Sequence, residues 1–242
     1  PYWYQTSWFK ILILLIVAGS LYILYRYRLQ QHLKLLTVRN RIASDLHDEI
    51  GSTLSSISLS SAVIQKKIPD GNPEINSLLN QISDNTNNMM EAMSDIVWTI
   101  NTRNDRFSNV ISRMRGFAAE ILEPKGCTVH FDVQDAVQRQ VLDMNQRKNF
   151  YLIFKEAINN AAKYAQCKNV WIHISMKHSH TIFMQMKDDG KGFTFSNEEN
   201  GHVIFGGNGL YNMQKRATEL KGKIKIDSTV EKGTEINLEF DV

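Results

Sequence analysis

His47-Asp48-Glu49 sets an imidazole beside two carboxylates. A neutral imidazole can attack phosphorus, and a neighbouring carboxylate can orient the ring and accept its proton. Far downstream, Glu156, Asn160 and Lys163 are spaced four and three apart, which puts them on one face of an α-helix. A carboxylate, a carboxamide oxygen and an ammonium on one stripe suit a magnesium-bound triphosphate, because Mg2+ takes oxygen ligands and is shared with substrate phosphates. Asp188-Asp189-Gly190-Lys191-Gly192 follows an apolar alternating run. Its first carboxylate could accept from an exocyclic amine such as that of adenine, and its glycines would let backbone approach a flat base. Gly206-Gly207-Asn208-Gly209-Leu210 then opens a helical pattern, whose free amides at the positive end of the dipole suit phosphate. Singly, these segments also read as a solvated helix face, a strand end and a plain helix start.

The elements that must carry them differ along the chain. Leu29, Leu36, Ala43, Ile50, Ile57 and Ile64 recur every seven residues, with Leu33 and Leu54 at companion positions. Pro69-Asp70-Gly71-Asn72-Pro73 is a turn signal. A second series follows with Ile75, Ile82, Met89 and Ile96, partnered by Leu79, Thr86, Met93 and Ile100. Two heptad helices joined by a turn make a hairpin with too much apolar surface for one copy to bury, so a homodimeric four-helix bundle is expected. His47 lies about sixty degrees off the Ile50 seam at 100° per residue, flanking that dimer core.

Beyond a polar linker at residues 101–105 the rhythm changes. Helices are predicted over Phe107 to Leu122, Asn145 to Ala165 and Leu210 to Leu220. Strands are predicted over Cys127 to Val133, Val170 to Lys177, Thr181 to Lys187, Lys223 to Ser228 and Glu235 to Phe240. This is an α+β sandwich with helices on one face of a mixed sheet. The glycine- and asparagine-rich stretch from Gly190 to Gly209 has no period and reads as a functional lid.

The first residues are different again. From Phe9 to Tyr25 the only charge is Lys10, and aromatic residues flank the run. Trp8 to Tyr27 meets the ~20 residues that a bilayer core requires. Arg26, Arg28, Lys34, Arg39 and Arg41 follow it, so the positive-inside rule puts everything after about Tyr27 in the cytoplasm. The chain starts at Pro1 rather than Met and is expected to be a fragment. Three parts result: residues 1–28 as a periplasmic end and transmembrane helix, 29–103 as the dimerising hairpin, and 104–242 as the sandwich. A net charge of +3 is too mild to argue for nucleic acid. Cys127 and Cys167, far apart in the chain and without metal-like spacing, read as reduced thiols.

In this order the three downstream segments resemble the ATP-binding domain shared by histidine kinases, gyrase-like ATPases and Hsp90-like chaperones, over roughly residues 107–242. Lys155 to Tyr164 looks like the family's N box. The resemblance implies that Asn160 ligates magnesium, that Glu156 acts beside the metal–phosphate cluster and that Lys163 approaches the phosphates. Tyr164, where many relatives have histidine, would still pack. Asp188, Gly190, Gly192 and Phe193 fall on the adenine-binding motif. Gly207, Gly209 and Leu210 fall on the glycine motif closing the ATP lid, and Gly233-Thr234 on a terminal strand motif whose threonine supports the adenine pocket.

Arg39 to Gly51 resembles the phosphoacceptor segment of the bacterial two-component histidine kinases that include the nitrate sensors and a membrane thermosensor. This implies an inner-membrane protein that phosphorylates His47 from Mg-ATP, with Asp48 as proton acceptor and Glu49 second. The phosphoryl group would pass to an aspartate of a response regulator, typically one with a helix-turn-helix output. Ser52 stands where that subfamily often has glutamine, which implies weak phosphatase activity at most. Two other readings remain at this level: a catalytically silent ATP-binding scaffold for a regulator, and an ATPase whose hydrolysis gates a dimer.

Overall fold

A computed structural model describes residues 2, 7–46, 50–67, 73–101, 104, 106–178, 180–194, 198–199, 202–203 and 208–242. The chain divides into two units, Pro1–Thr102 and Arg103–Val242. The expected phosphoacceptor trio His47-Asp48-Glu49, the hairpin turn at 68–72 and Gly207 lie outside the described residues.

In the first unit, a run without proline forms one helix, α1 (Ser7–Asp45). Its stretch Ser7–Gln31 has a mean hydropathy of 2.1 and none of it is buried, so it is long and apolar enough to cross a membrane. Helices α2 (Gly51–Lys67) and α3 (Pro73–Ile100) make the hairpin. Continuous helix is expected through this region, but Leu46 and Ile50 adopt a wider π-helical conformation between α1 and α2. Ser61 of α2 is buried and donates to the Leu79 carbonyl of α3 at 3.0 Å. A Cβ on Gly51 would lie 3.3 Å from Met93 Cε.

The two rows of the heptad pattern separate cleanly in α3. Leu79 and Thr86 are buried and Met93 and Ile100 half-buried, whereas Ile75, Ile82, Met89 and Ile96 all face outward. Ile50, Ile57 and Ile64 are likewise exposed, Ile57 at 43%. These apolar side chains thus repeat at seven-residue intervals along an open face.

The second unit is built on a five-stranded mixed sheet in the order β1 (Thr128–Val133), β2 (Asn169–Lys177), β3 (Thr181–Asp188), β7 (Gly233–Asp241), β6 (Lys223–Thr229). Among the described strand pairs of this sheet, β1 and β2 pair in parallel and the other neighbours antiparallel. The alternation of Val170, Ile172 and Ile174 with half-exposed residues in β2, and of Ile182, Met184 and Met186 in β3, turns one face inward. Helices α4 (Phe107–Leu122), α6 (Met144–Asn160) and α7 (Asn208–Glu219) cover that face, with a single turn, α5 (Asp135–Gln138), beside β2. Phe150 joins the layers, 5.4 Å between ring centres from Phe107 of α4 and 5.5 Å from Phe240 of β7. In place of a wholly irregular lid, Glu198–Glu199 (β4) pairs antiparallel with His202–Val203 (β5).

Candidate active site

Helix α6 starts from a capping box. Asp143 Oδ1 accepts from the Gln146 amide at 2.8 Å, and Gln146 Oε1 accepts from the Asp143 amide at 3.1 Å. Phe150, Ile153, Phe154, Ala157 and Ile158 are buried, which leaves Glu156 and Asn160 on the half-exposed edge. The helix does not stay α to Ala165 as its sequence suggests. Ala161–Ala165 widens into a π turn that ends at Gln166 in the left-handed region. A π turn has a different angular step, so Lys163 leaves the α stripe it would share with Glu156 and Asn160 and stands exposed. Tyr164 does not pack as expected: it is 63% exposed on the same turn.

Glu156 and Asn160 meet the start of α7. A Cβ on Gly209 would overlap Glu156 Oε1, and would lie 3.1 Å from Glu156 Cδ and 3.6 Å from Asn160 Nδ2. Asn145, Asn149 and Arg216 hold the two helices together: Asn145 donates to the Glu219 carbonyl, and Arg216 to Asn149 Oδ1 at 3.5 Å. Leu210, Met213 and Ala217 bury the inner face of α7, and its first turn, at Gly209, lies against Glu156 and Asn160. A carboxylate and a carboxamide here can offer oxygens of the hard kind that Mg2+ takes, at a helix start, where backbone amides favour anions.

The second cluster forms around Asp188, which is only 5% exposed at the end of β3. Its Oδ1 accepts from the Gly190 amide at 2.9 Å and the Thr234 amide at 3.3 Å. Burial pushes this carboxyl above its ordinary value, against the two amides, which pull it down; the charge of Asp189 adds to the rise. With Oδ1 engaged, Oδ2 is the oxygen available to an amine.

Three glycines make the close approach possible. A Cβ on Gly190 would strike the Ala165 carbonyl and lie 2.6 Å from Ala165 Cβ. Gly192, at φ +59°, lies against Thr229, and Gly233, at φ +81°, against the backbone of Asp188. Phe193 donates its amide to Ser228 Oγ at 2.9 Å, and Ser228 Oγ lies 3.0 Å from Thr234 Oγ1. Ser228 is a supporting residue that sequence reasoning missed. It is the cross-strand partner of Thr234, a pairing that a two-strand register counted back from Lys232-Gly233 would have revealed.

Asp189 was also passed over. Its Oδ1 accepts from the Lys168 and Asn169 amides at 2.8 and 2.9 Å, and its Oδ2 from Asn169 Nδ2 at 2.8 Å. Partial desolvation pushes its carboxyl upward, but the Asn169 side chain and the backbone donors together outweigh this and hold it below the ordinary value. The carboxyls of two adjacent aspartates are thus shifted in opposite directions, Asp188 upward and Asp189 downward, and Asp189 ties the start of β2 to the end of β3. The structure therefore brings Glu156, Asn160 and Gly209 into one cluster, and Asp188, Gly190, Gly192, Phe193 and Thr234 into another within the same unit.

Residues 38–105 match a family described as histidine kinase, and residues 145–242 one described as histidine kinase-, DNA gyrase B- and HSP90-like ATPase. The sensor histidine kinase YdfH of Bacillus subtilis is 28% identical over 209 residues, covering 86% of this chain and 50% of that protein. The nitrate/nitrite sensor protein NarQ of Escherichia coli is 23% identical over 212 residues, covering 87% of this chain and 36% of that protein. The chain thus spans half or less of the length of these curated relatives. Among solved structures, the histidine kinase AdeS of Acinetobacter baumannii superposes with a TM-score of 0.50 at 16% identity, covering 78% of this chain and 95% of that one.

Proposed function

The chain belongs to the two-component sensor histidine kinases, and from that premise we propose that it transfers the γ-phosphoryl group of ATP to His47 and then to an aspartate of a response regulator. The observation that carries the reading is the double cluster of the second unit. Asp188 offers a buried carboxylate oxygen at a glycine-built wall, which fits the amine edge of adenine. Glu156, Asn160 and the first amides of α7 fit the phosphate end. Magnesium, held by Asn160 beside Glu156, would neutralise phosphate charge.

The neutral imidazole of His47 attacks the γ-phosphorus through one ring nitrogen, and ADP leaves. Asp48, with Glu49 second, orients the ring and accepts the proton from its other nitrogen. Lys163 reaches the phosphates by side-chain swing, Tyr164 borders the nucleotide from its π turn, and Gly207 and Leu210 act as part of the glycine motif of the ATP lid.

Residues 29–103 act as the dimerising, phosphoaccepting part and 104–242 as the ATP-binding part. Residues 1–28 end in the membrane helix, with the chain after about residue 27 in the cytoplasm of a bacterium. The open row Ile75, Ile82, Met89 and Ile96 supports pairing with a second copy. The regulator's output domain is of the helix-turn-helix kind.

Incubation of the full chain in detergent with Mg2+ and γ-labelled ATP tests this. Wild type is expected to gain acid-labile phosphate, and His47→Gln to gain none. Label retained on the variant would overturn the assignment of His47. Unlabelled wild type that hydrolyses ATP would favour a gating ATPase, and unlabelled wild type that binds ATP without hydrolysis a silent scaffold.

A further inference from the structure

Cys127 and Cys167, far apart in the sequence, are neighbours in space, with their Sγ atoms 3.1 Å apart. The parallel pairing of β1 with β2 brings them together, since Cys127 lies one residue and Cys167 two residues before the start of the strand register: Thr128 is opposite Asn169, and its amide donates to the Lys168 carbonyl at 2.8 Å. Both are free thiols, Cys127 buried and Cys167 partly exposed. A disulfide requires the sulfurs at about 2.05 Å, so closure needs a movement of roughly an ångström. Among the described residues no group of three or more metal-ligating side chains is placed to hold an ion here, which leaves thiol chemistry.

The segment carrying Cys167 is the floor of the 188–192 loop. Ala165 accepts the Lys191 amide at 2.8 Å and packs directly beneath Gly190. The Lys168 and Asn169 amides both end on Asp189. A pull on Cys167 therefore acts on both supports of that loop.

We propose that Cys127 and Cys167 are a redox-modifiable dithiol, which a low-molecular-weight disulfide converts to an intramolecular disulfide, and that this closure weakens nucleotide binding. The second half rests on the reading of residues 188–192 as the adenine wall. Cys167, the more exposed thiol, loses its proton and attacks one sulfur of the small disulfide, expelling one thiolate. Cys127 then loses its proton and attacks the Cys167 sulfur, which forms the protein S–S bond and expels the second thiolate. The two released protons end on the two expelled thiolates, so two protein sulfurs are oxidised and one small disulfide is reduced to two thiols. Burial pushes both thiols up, Cys167 to about 12, with the neighbouring thiol adding to the rise at Cys167. The pair therefore rests as protonated thiols at neutral pH and reacts slowly, as suits a response to sustained oxidation.

The test uses the reduced full chain in detergent, exposed to oxidised glutathione and then alkylated after denaturation. Intact mass should show wild type losing both alkylatable thiols with no glutathione retained, and a non-reducing gel should show no cross-linked chains. Cys127→Ser should instead keep glutathione on Cys167. Cys167→Ser, a change at the more exposed site, should keep Cys127 unmodified. Wild type that keeps both thiols free, or stops at the glutathione adduct, would overturn the disulfide.

Binding of a fluorescent ATP analogue is then compared. Oxidised wild type should bind about tenfold more weakly, the scale of one weakened hydrogen bond to the nucleotide, and dithiothreitol should restore it. Cys167→Ser should bind alike before and after glutathione. Equal affinity of oxidised and reduced wild type would overturn the coupling. Reduced wild type that fails to bind the analogue would sink the nucleotide reading and the coupling with it, while the thiol counts still judge the disulfide.

Discussion

Glu156 and Gly209 claim the same space: the Glu156 carboxylate stands where a side chain on residue 209 would begin. A carboxylate against the first turn of α7 gains from the positive end of the helix dipole. Gly209→Ala would push that carboxylate aside without touching the core, because the displaced atom is the tip of a flexible side chain. ATP-analogue affinity is expected to fall roughly tenfold, on the scale of one charged hydrogen bond. Thermal unfolding should move little. A large loss of melting temperature with unchanged affinity would show Gly209 to be structural.

Asp188→Asn separates binding from stability. The amide oxygen can still accept from the Gly190 and Thr234 amides, but a donor replaces the oxygen offered to adenine. Affinity should drop roughly tenfold to a hundredfold, as for a lost hydrogen bond to a charged group. The pH dependence has a definite sign. Burial raises this carboxyl in the folded state, so its stabilising contribution is full below the ordinary carboxylate range and is lost as pH rises through its raised value. At neutral pH the variant should therefore melt no lower than wild type, and any advantage should shrink on acidification. Melting curves at several pH values check this.

Gly233 sits at φ +81° with its α-carbon against the Asp188 backbone. Gly233→Ala meets both a disfavoured backbone conformation and an immovable neighbour. A destabilisation of about 1–3 kcal/mol is expected, read as a lowered denaturation midpoint. The same substitution at Gly116, in α4 with open space around it, should be neutral or slightly stabilising.

Ile82 is 44% exposed on the outward row of α3. Ile82→Asp leaves the hairpin interior intact but places charge in the seam. Helical content should be unchanged, and dimer dissociation measured by sedimentation in detergent should become at least ~10-fold easier, the scale of one lost buried isoleucine. Unchanged association would locate the dimer contact elsewhere.

Much of this arrangement is legible residue by residue. The heptads of α3 separate Ile82 from Leu79, and the alternation of β2 separates Ile172 from Trp171, because side-chain periodicity is a local property of the backbone. What escaped was long-range or changed no pattern. The approach of Cys127 to Cys167 depends on the parallel β1–β2 register, which neither strand encodes alone. The hydrogen bond from Thr234 to Asp188 depends on β7 inserting between β3 and β6. The π turn at Ala161–Ala165 leaves the order of residue types untouched, so Lys163 still looks aligned with Glu156 in the sequence. The lone Ser228 gave no signal until its cross-strand partner was known.

Helix α1 extends for 39 residues without a proline, about 58 Å at 1.5 Å per residue. An unbroken helix of that length sets Trp8 and Asp45 on one continuous element. The regular α-helix ends there, and Leu46 and Ile50 are π-helical. A displacement of the apolar end along the helix axis would therefore be felt at Asp45, two residues before the proposed phosphoacceptor in the sequence.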